Sequence, residues 1–503
     1  MTLPLNLYTA DQLRELDRIA IEEFKIPGLT LMQRAGQATF DHILDRYPRT
    51  QSISVICGTG NNGGDGYVIA TLASKMNLKV TLIQLGDDNT VSGDALLARE
   101  AYLEAGGKTS AFSIALLQSE IIVDAIFGTG LTREVSDDWA KVVNLINEAP
   151  AKKIAVDIPS GLCADTGRIL GTCVKADMTV TYIGLKCGLF TGQARDVVGE
   201  IKFNDLEVPY AVYQKLTSAP SKELIPDTII SKNLKPRSRC SHKGHFGHVL
   251  LIGGANGMPG AIHLAAEASL RCGAGLVSVA THPSHADYLN MTRPEMMVHA
   301  VHQISALEPL LEKATAIVIG PGLGTSVWAR ELLSATLLTN KPIVVDADAL
   351  NLLSESQQST LMKQHDNWIL TPHPKEASRL LGLTTQAVEA DRYQSVEKTA
   401  QKWGGVCVLK GAGSLICDGN KTAVCNAGNP GMASGGMGDV LSGIIVALLA
   451  QDLTLFDAAA TGTYLHAKAA DFAAKNGERG MLASDLFPYL RMLINNKTEL
   501  LKD

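Results

Sequence analysis

The sequence has no Cys-x-x-Cys pair. Its nine cysteines are an odd number and stand singly, which argues against a disulfide framework and a zinc ribbon and favours reduced thiols of the cytosolic kind. It also lacks any run of about 18 uninterrupted apolar residues. The opening MTLPLNLYTADQLRELDRIA has no positive stretch followed by an apolar one. Neither export nor a membrane span is expected, and the compartment implied is cytoplasmic. Charge of one sign is scarce too: 45 basic against 51 acidic residues give a formal net charge of -6. That speaks against a broad nucleic-acid footprint while leaving room for a local anion site. With 46% hydrophobic and 19% charged residues, the chain has the balance of a folded globular protein.

Short apolar, β-branched runs recur along the 503 residues: SISVICG (52 to 58), KVTLIQLG (79 to 86), IIVDAIFG (121 to 128), KIAVDIPSG (153 to 161) and MTVTYIG (178 to 184). Helix-length segments separate them, which predicts a parallel sheet with crossover helices. An amphipathic stretch from Asp11 to Tyr47, broken at Pro27-Gly28, is expected to pack beside it as helices. Between Pro209 and Gly244 the pattern lapses into a Pro-, Ser- and Lys-rich junction. A second series follows: HVLLIGG (248 to 254), GLVSVAT (275 to 281), AIVIGPG (316 to 322), PIVVDAD (342 to 348), WILTPHP (368 to 374), GVCVLKG (405 to 411) and SLICDG (414 to 419). Two α/β domains are expected, over residues 1–215 and 216–503. The first reads as a Rossmann-like three-layer α/β/α unit.

In CGTGNNGGDGYVIATLAS a strand runs through glycines into an apolar helix. Gly58, Gly60, Gly63, Gly64 and Gly66 allow positive φ and close approach of a ligand, and the helix start offers free N–H groups to an anion. Gly58, Gly60 and Gly63 match the G-x-G-x-x-G spacing, but Asn61, Asn62 and Asp65 add groups that a plain dinucleotide fingerprint does not need. Two further strand ends carry acids, Asp124 in VDAIFGTGLTRE and Asp157 in VDIPSGLCADTG. Strand ends of an open α/β sheet converge on one crevice. There Asn62, Asp124 and Ser160 offer hard oxygens suited to an alkali or alkaline-earth cation, whereas helix capping is the plainer role for each alone.

These three motifs, in this order, resemble the NAD(P)HX epimerase domain at the N-terminus of bifunctional bacterial repair enzymes. The resemblance spans about residues 1 to 215. It implies that Asn61, Asn62, Gly63, Gly64 and Asp65, together with Gly128, Thr129, Gly130, Leu131, Thr132, Arg133 and Glu134, contact a hydrated dinucleotide. Asp157 would lie near the reactive ring as the catalytic acid-base group, and Asn62, Asp124 and Ser160 would hold potassium. Trp139 stands where a further ring contact falls, and Lys186, in IGLKCGLF, reads as a solvated or phosphate-facing lysine.

In the second half, NPGMASGGMGDVLSGIIVALLA (429 to 450) is a glycine-rich loop running into an apolar helix, with Asp439 at the helix start. Backbone N–H groups there can stabilise a phosphoryl group in transfer. Asp439 then serves either as a general base or as a simple partner of the helix dipole. VLKGAGSLICDG places Lys410 and Ser414 around a turn, as a phosphate seat or a hairpin. IGPGLG (319 to 324), TPHPKEA with His373 and Glu376, and Met258-Pro259-Gly260 before a helix near Ala261 complete the set.

Together these resemble ADP-dependent NAD(P)HX dehydratases of the ribokinase-like superfamily, over about residues 225 to 500. By that resemblance Ala261, Gly322, His373 and Asp439 face the hydrated cofactor, with Gly324 added beside them, while Lys410, Gly411, Ala412, Gly413, Ser414 and Gly438 face the adenine nucleotide. It implies a phosphorylation of the C6 hydroxyl of S-NAD(P)HX by ADP, with Asp439 as base and magnesium on the phosphates, giving NAD(P)H, AMP and phosphate. The partners expected are NADHX or NADPHX and an adenine nucleotide, with no nucleic acid or membrane, in a homo-oligomer. The alternative is a small-alcohol (vitamin or sugar) kinase with a non-catalytic N-terminal binding module.

Overall fold

A computed structural model describes residues 3–355 and 365–497 of the chain. It divides into two compact units, Met1–Lys222 and Glu223–Asp503.

In the first unit, seven strands make one sheet in the order Thr109–Ser110, Lys79–Gln84, Ser52–Cys57, Ile121–Ala125, Lys152–Val156, Met178–Tyr182, Glu200–Asn204. Every pair is parallel. The buried, β-branched strands need cover on both faces, and alternate residues supply it. Ile53, Val55 and Cys57 pack with Leu16, Leu31, Phe40 and Ile69 on one face, and Ile56, Ile83 and Ile122 pack with Val143 and Ile146 on the other. The sheet order turns back beside Ser52–Cys57: the chain first moves out through Lys79–Gln84, then returns to its other side at Ile121–Ala125. That is a topological switch point, where the loops after both strands splay apart and leave a crevice.

The amphipathic start forms the expected helices, Ala10–Glu22 and Gly28–Arg46. Thr9 and Gln12 close the first with a capping box, and Leu13, Leu16, Ile19 and Ala20 turn one face inward. Ahead of it, a strand that the sequence did not suggest, Asn6–Tyr8, pairs in parallel with Leu185–Lys186.

In the second unit, parallel strands run in the order Met297–Ala300, Leu276–Thr281, His248–Ile252, Ala316–Ile319, Ile343–Val345, Trp368–Leu370, Val406–Leu409. The parallel series ends there. Leu415–Cys417 and Thr422–Val424 are antiparallel, because the five residues between Leu409 and Leu415 are too few for a crossover. The helix Met437–Leu449 is apolar all round and buried nearly throughout. It crosses Pro259–Arg271 at Gly443, where a Cβ would come within 2.1 Å of the Ala265 carbonyl oxygen. Among the described residues no helix is long and apolar enough to cross a membrane.

Candidate active sites

A cavity of about 650 Å³ opens at the switch point of the first unit. Asn61, Asn62, Asp65, Gly128, Thr129, Gly130, Leu131, Thr132, Arg133 and Asp157 all line it, with Trp139, Lys186 and Asp17. Three expected contact residues do not. Gly63 sits so close to the Gly58 carbonyl oxygen that a Cβ would lie 2.0 Å from it, and Gly64 abuts Met32 and Ala95. Glu134 pairs on the surface with Arg168 at 3.2 Å. The expectation of positive φ in this glycine run is corrected as well: none of its glycines is left-handed. Asn61 already begins the helix Asn61–Lys75, and of these glycines Gly66 fits that helix against the sheet, its Cβ position lying 2.7 Å from Cys57 Sγ and 2.8 Å from the Ala125 Cβ.

Beneath the cavity floor, Asp124 is fully buried. Its carboxylate accepts from Ser160 Oγ at 2.6 Å, Ser160 N at 2.8 Å and Ile126 N at 3.3 Å. Ser160 Oγ in turn accepts from Phe127 N at 2.8 Å, and Asn62 Nδ2 donates to the Phe127 carbonyl at 3.0 Å. The structure thus brings together the three residues read as cation ligands. Burial pushes Asp124 up to about 6 against these hydrogen bonds, and no cationic side chain is among the groups that shift it.

Asp157 ends the strand Lys152–Val156 in a left-handed turn, φ 68°. Its Oδ1 accepts from Lys186 Nζ, from Tyr182 N at 3.2 Å and from Thr181 Oγ1 at 3.3 Å. Lys186 is buried and also donates to the Tyr182 carbonyl at 3.0 Å. The reading of Lys186 as a solvated lysine is therefore wrong, although Lys186 does line the cavity. Its chemistry was hidden because the partner lies 29 residues earlier and only the fold brings the two together. Trp139 does reach the cavity, tilted against Phe127 with ring centroids 4.9 Å apart.

The second unit gathers its site at the ends of strands 316–319, 343–345, 368–370 and 406–409. Asp439 stands in the first turn of Met437–Leu449, behind Gly436 at φ 90°. Burial first, then neighbouring Asp346, raise its carboxyl to about 7 despite Lys410. Lys410 does not pair with Asp439. Its Nζ donates to Asp346 Oδ1 at 2.7 Å and lies 3.9 Å from Glu376. Burial alone would depress this lysine, but Asp346, Glu376 and Asp439 outweigh that and hold it above its ordinary value. Asp346 is buried and also accepts from Ser442 Oγ at 2.7 Å. A Cβ at Gly438 would lie 3.2 Å from Lys410 Nζ, so glycine there leaves the ammonium room.

Around this centre, Gly322, at φ 58°, lies against Ala261, and the Gly324 N–H donates to Asp348 Oδ2 at 2.8 Å. His373 caps the helix Pro374–Leu381: its Nδ1 accepts from Lys375 N and Glu376 N at 3.1 and 3.3 Å. Lys410–Ser414 forms the hairpin turn, Gly411 N donating to Ser414 Oγ at 3.3 Å. Sequence reading missed Asp346, Asp348, Ser442 and Asp471. Asp471 accepts from Gly428 N and Asn429 Nδ2 at 3.1 Å each, and so anchors the start of the glycine loop. Asp346 was within reach, since it directly follows the strand PIVVD and acids at such ends collect at one crevice.

The chain matches two family models, one described as YjeF-related protein N-terminus over residues 28–188 and one as NAD(P)H-hydrate dehydratase over residues 249–491. It is 47% identical to the bifunctional NAD(P)H-hydrate repair enzyme Nnr of Coxiella burnetii, over 97% of this chain and 99% of that one. To the Escherichia coli protein of the same name it is 44% identical, over 98% and 95%. A ribokinase-like superfamily protein of Enterococcus faecalis superposes with a TM-score of 0.51 at 30% identity, covering 56% of this chain and 98% of that one. With one site in each unit and relatives aligned end to end across both, the chain belongs to the bifunctional NAD(P)H-hydrate repair enzymes.

Proposed function

We propose that the first unit interconverts the R and S epimers of NAD(P)H hydrated at C6, and that the second dehydrates the S epimer to NAD(P)H with ADP as phosphoryl donor. The observation that carries the second half is Asp439. A carboxyl raised to about 7 titrates near working pH, where a general base is most effective. It stands beside the N–H groups that open Met437–Leu449. Asp439 takes the proton of the C6 hydroxyl while that oxygen attacks the β-phosphate of ADP. Backbone amides of Gly435, Gly436 and Gly438 receive the transferred group, and Lys410 neutralises its charge. Phosphate is a far better leaving group than hydroxide, so the ring nitrogen can expel it; AMP is the other product.

In the first unit, Asp157 is the acid-base group at C6, and the wall from Gly128 to Arg133 holds the dinucleotide. The oxygens of Asn62, Asp124, Ser160 and the Phe127 carbonyl fit a potassium ion: they are hard donors, and the buried carboxylate lacks a cationic neighbour. Such an ion would supply the missing charge and stiffen the cavity floor. In the second unit, among the described residues, no three His, Cys, Asp or Glu side chains form a metal cage. Magnesium nevertheless needs only one or two carboxylates when it arrives on phosphates, and Glu376 beside Lys410 fits that part.

The test is to incubate the chain with mixed NADHX epimers, with ADP or with ATP, and follow the reduced-nicotinamide absorbance. Full recovery with ADP, beyond the S fraction supplied, is expected. A stable phosphorylated product without recovered absorbance would identify a small-alcohol kinase instead.

A further inference from the structure

Changing the configuration at C6 requires the hydroxyl to leave one face of the ring and return to the other, so a single acid-base group on one side is not enough. Resting on the reading of Asp157 above, we propose that Asp17 is the second catalytic group of the first unit, the acid that protonates the departing hydroxyl.

Asp17 lines the same cavity as Asp157, but a different element carries it. It rides on the helix Ala10–Glu22, which the pairing of Asn6–Tyr8 with Leu185–Lys186 sets beside the Asp157–Lys186 pair. Of these two carboxylates, Asp157 is taken up by three hydrogen bonds, one of them from the lysine. Asp17 has no hydrogen bond or ion pair among the described contacts. Water in the cavity reaches it, yet the walls crowd it, and that burial pushes its carboxyl up to about 6, with Lys186 opposing and Asp157 assisting. The other ionisable groups facing the cavity are Arg14, Asp65, Asp94, Arg133 and Tyr182, and Tyr213 lies within electrostatic reach. Two carboxyls in one site, one paired with a lysine and the other without a partner among the described contacts and raised to about 6, have the environments of an acid and base pair.

The step balances. Asp17 gives its proton to the C6 hydroxyl, the C6–O bond breaks and water departs, while the lone pair of the ring nitrogen forms a C6=N double bond. Water then adds to the opposite face, a new C6–O bond forms, the electron pair returns to nitrogen, and Asp157 takes the released proton. Asp17 is now ionised and Asp157 protonated, which is the starting state for the reverse conversion; proton exchange with solvent restores the first state.

The test follows interconversion of purified epimers by chromatography, without nucleotide so that dehydration does not intervene, using the full-length chain. Asp17→Asn is expected to lower kcat ~100-fold, the lower end of what a positioned acid contributes, with KM little changed, and Asp17→Glu to recover part of it. The wild-type rate should decline as pH rises through about 6, since the donor must be protonated; Asp17→Asn should lose that decline. Unchanged ADP-dependent dehydration serves as the control for folding. An Asp17→Asn chain that epimerises at the wild-type rate, or is slower but keeps the same decline with pH, would overturn the proposal. Asp157→Asn is measured alongside: full activity there would sink the reading of Asp157, whatever Asp17 shows.

Discussion

Both sites hold one buried lysine among several carboxylates, and they assign it differently. In the first unit Lys186 pairs with Asp157; in the second Lys410 pairs with Asp346 and leaves Asp439 unpaired. In each case a carboxyl without the lysine is pushed toward neutrality, Asp17 to about 6 and Asp439 to about 7. The lesson is that in each site the carboxyl raised by burial is one the lysine does not pair with, and that is the group to which the proposed proton transfer is assigned. The glycines differ in the same spirit. In the first loop Gly63, Gly64 and Gly66 allow close packing without a left-handed backbone, whereas Gly436 and Gly438 shape the start of the helix that carries Asp439.

The comparison breaks most sharply at Asp439. Asp439→Asn should remove ~10³-fold or more of the dehydration rate, within the range of a lost general base, and leave epimerisation unchanged; loss of both activities in a folded chain would show that the units are not independent. Next, Lys410→Met strands the buried carboxylate of Asp346. Removing one partner of a buried pair costs about 3–5 kcal/mol, readable as a lower denaturation midpoint of the second unit with the first unaffected.

A pH profile sharpens the contrast further. Asp439 is raised to about 7 and must be deprotonated to act, so dehydration should climb with pH through about 7 and then level, the opposite slope to that expected of epimerisation. Ser160→Ala removes one of the oxygens around Asp124; the epimerase alone should lose its response to potassium, measured against sodium at constant ionic strength. The smallest effect expected is Thr9→Ala, which opens a capping box and should cost the first unit about 1 kcal/mol.

Much of this was legible in the sequence because it is local. Strands buried on both faces announce themselves as short β-branched runs, and Asn62, Asp124 and Ser160, each at a strand end or helix start, could be placed together by the rule that such ends share a crevice. What stayed hidden depends on distant partners. Lys186 looks like any lysine until the fold lays it against Asp157, and Asp17 looks like any exposed position on an amphipathic helix, since only the fold shows that it lines the cavity. Asp471 supports the phosphoryl loop from a helix with no motif of its own. The turn after Leu409, which the sequence leaves open between a phosphate seat and a hairpin, does form a hairpin; periodicity could not decide it because it reports burial and carries no direction.

The pairing of Leu7 and Tyr8 with Leu185 and Lys186 has a consequence for biosynthesis. Residues 6–8 leave the ribosome long before Leu185 and Lys186, so their strand must wait for most of the unit to follow before it finds its neighbour, and until then its backbone donors and acceptors are open to water. The cavity therefore gains its last wall late: a nascent chain can already have the glycine loop and the Asp124 oxygens in place while still lacking the wall that bears Asp17.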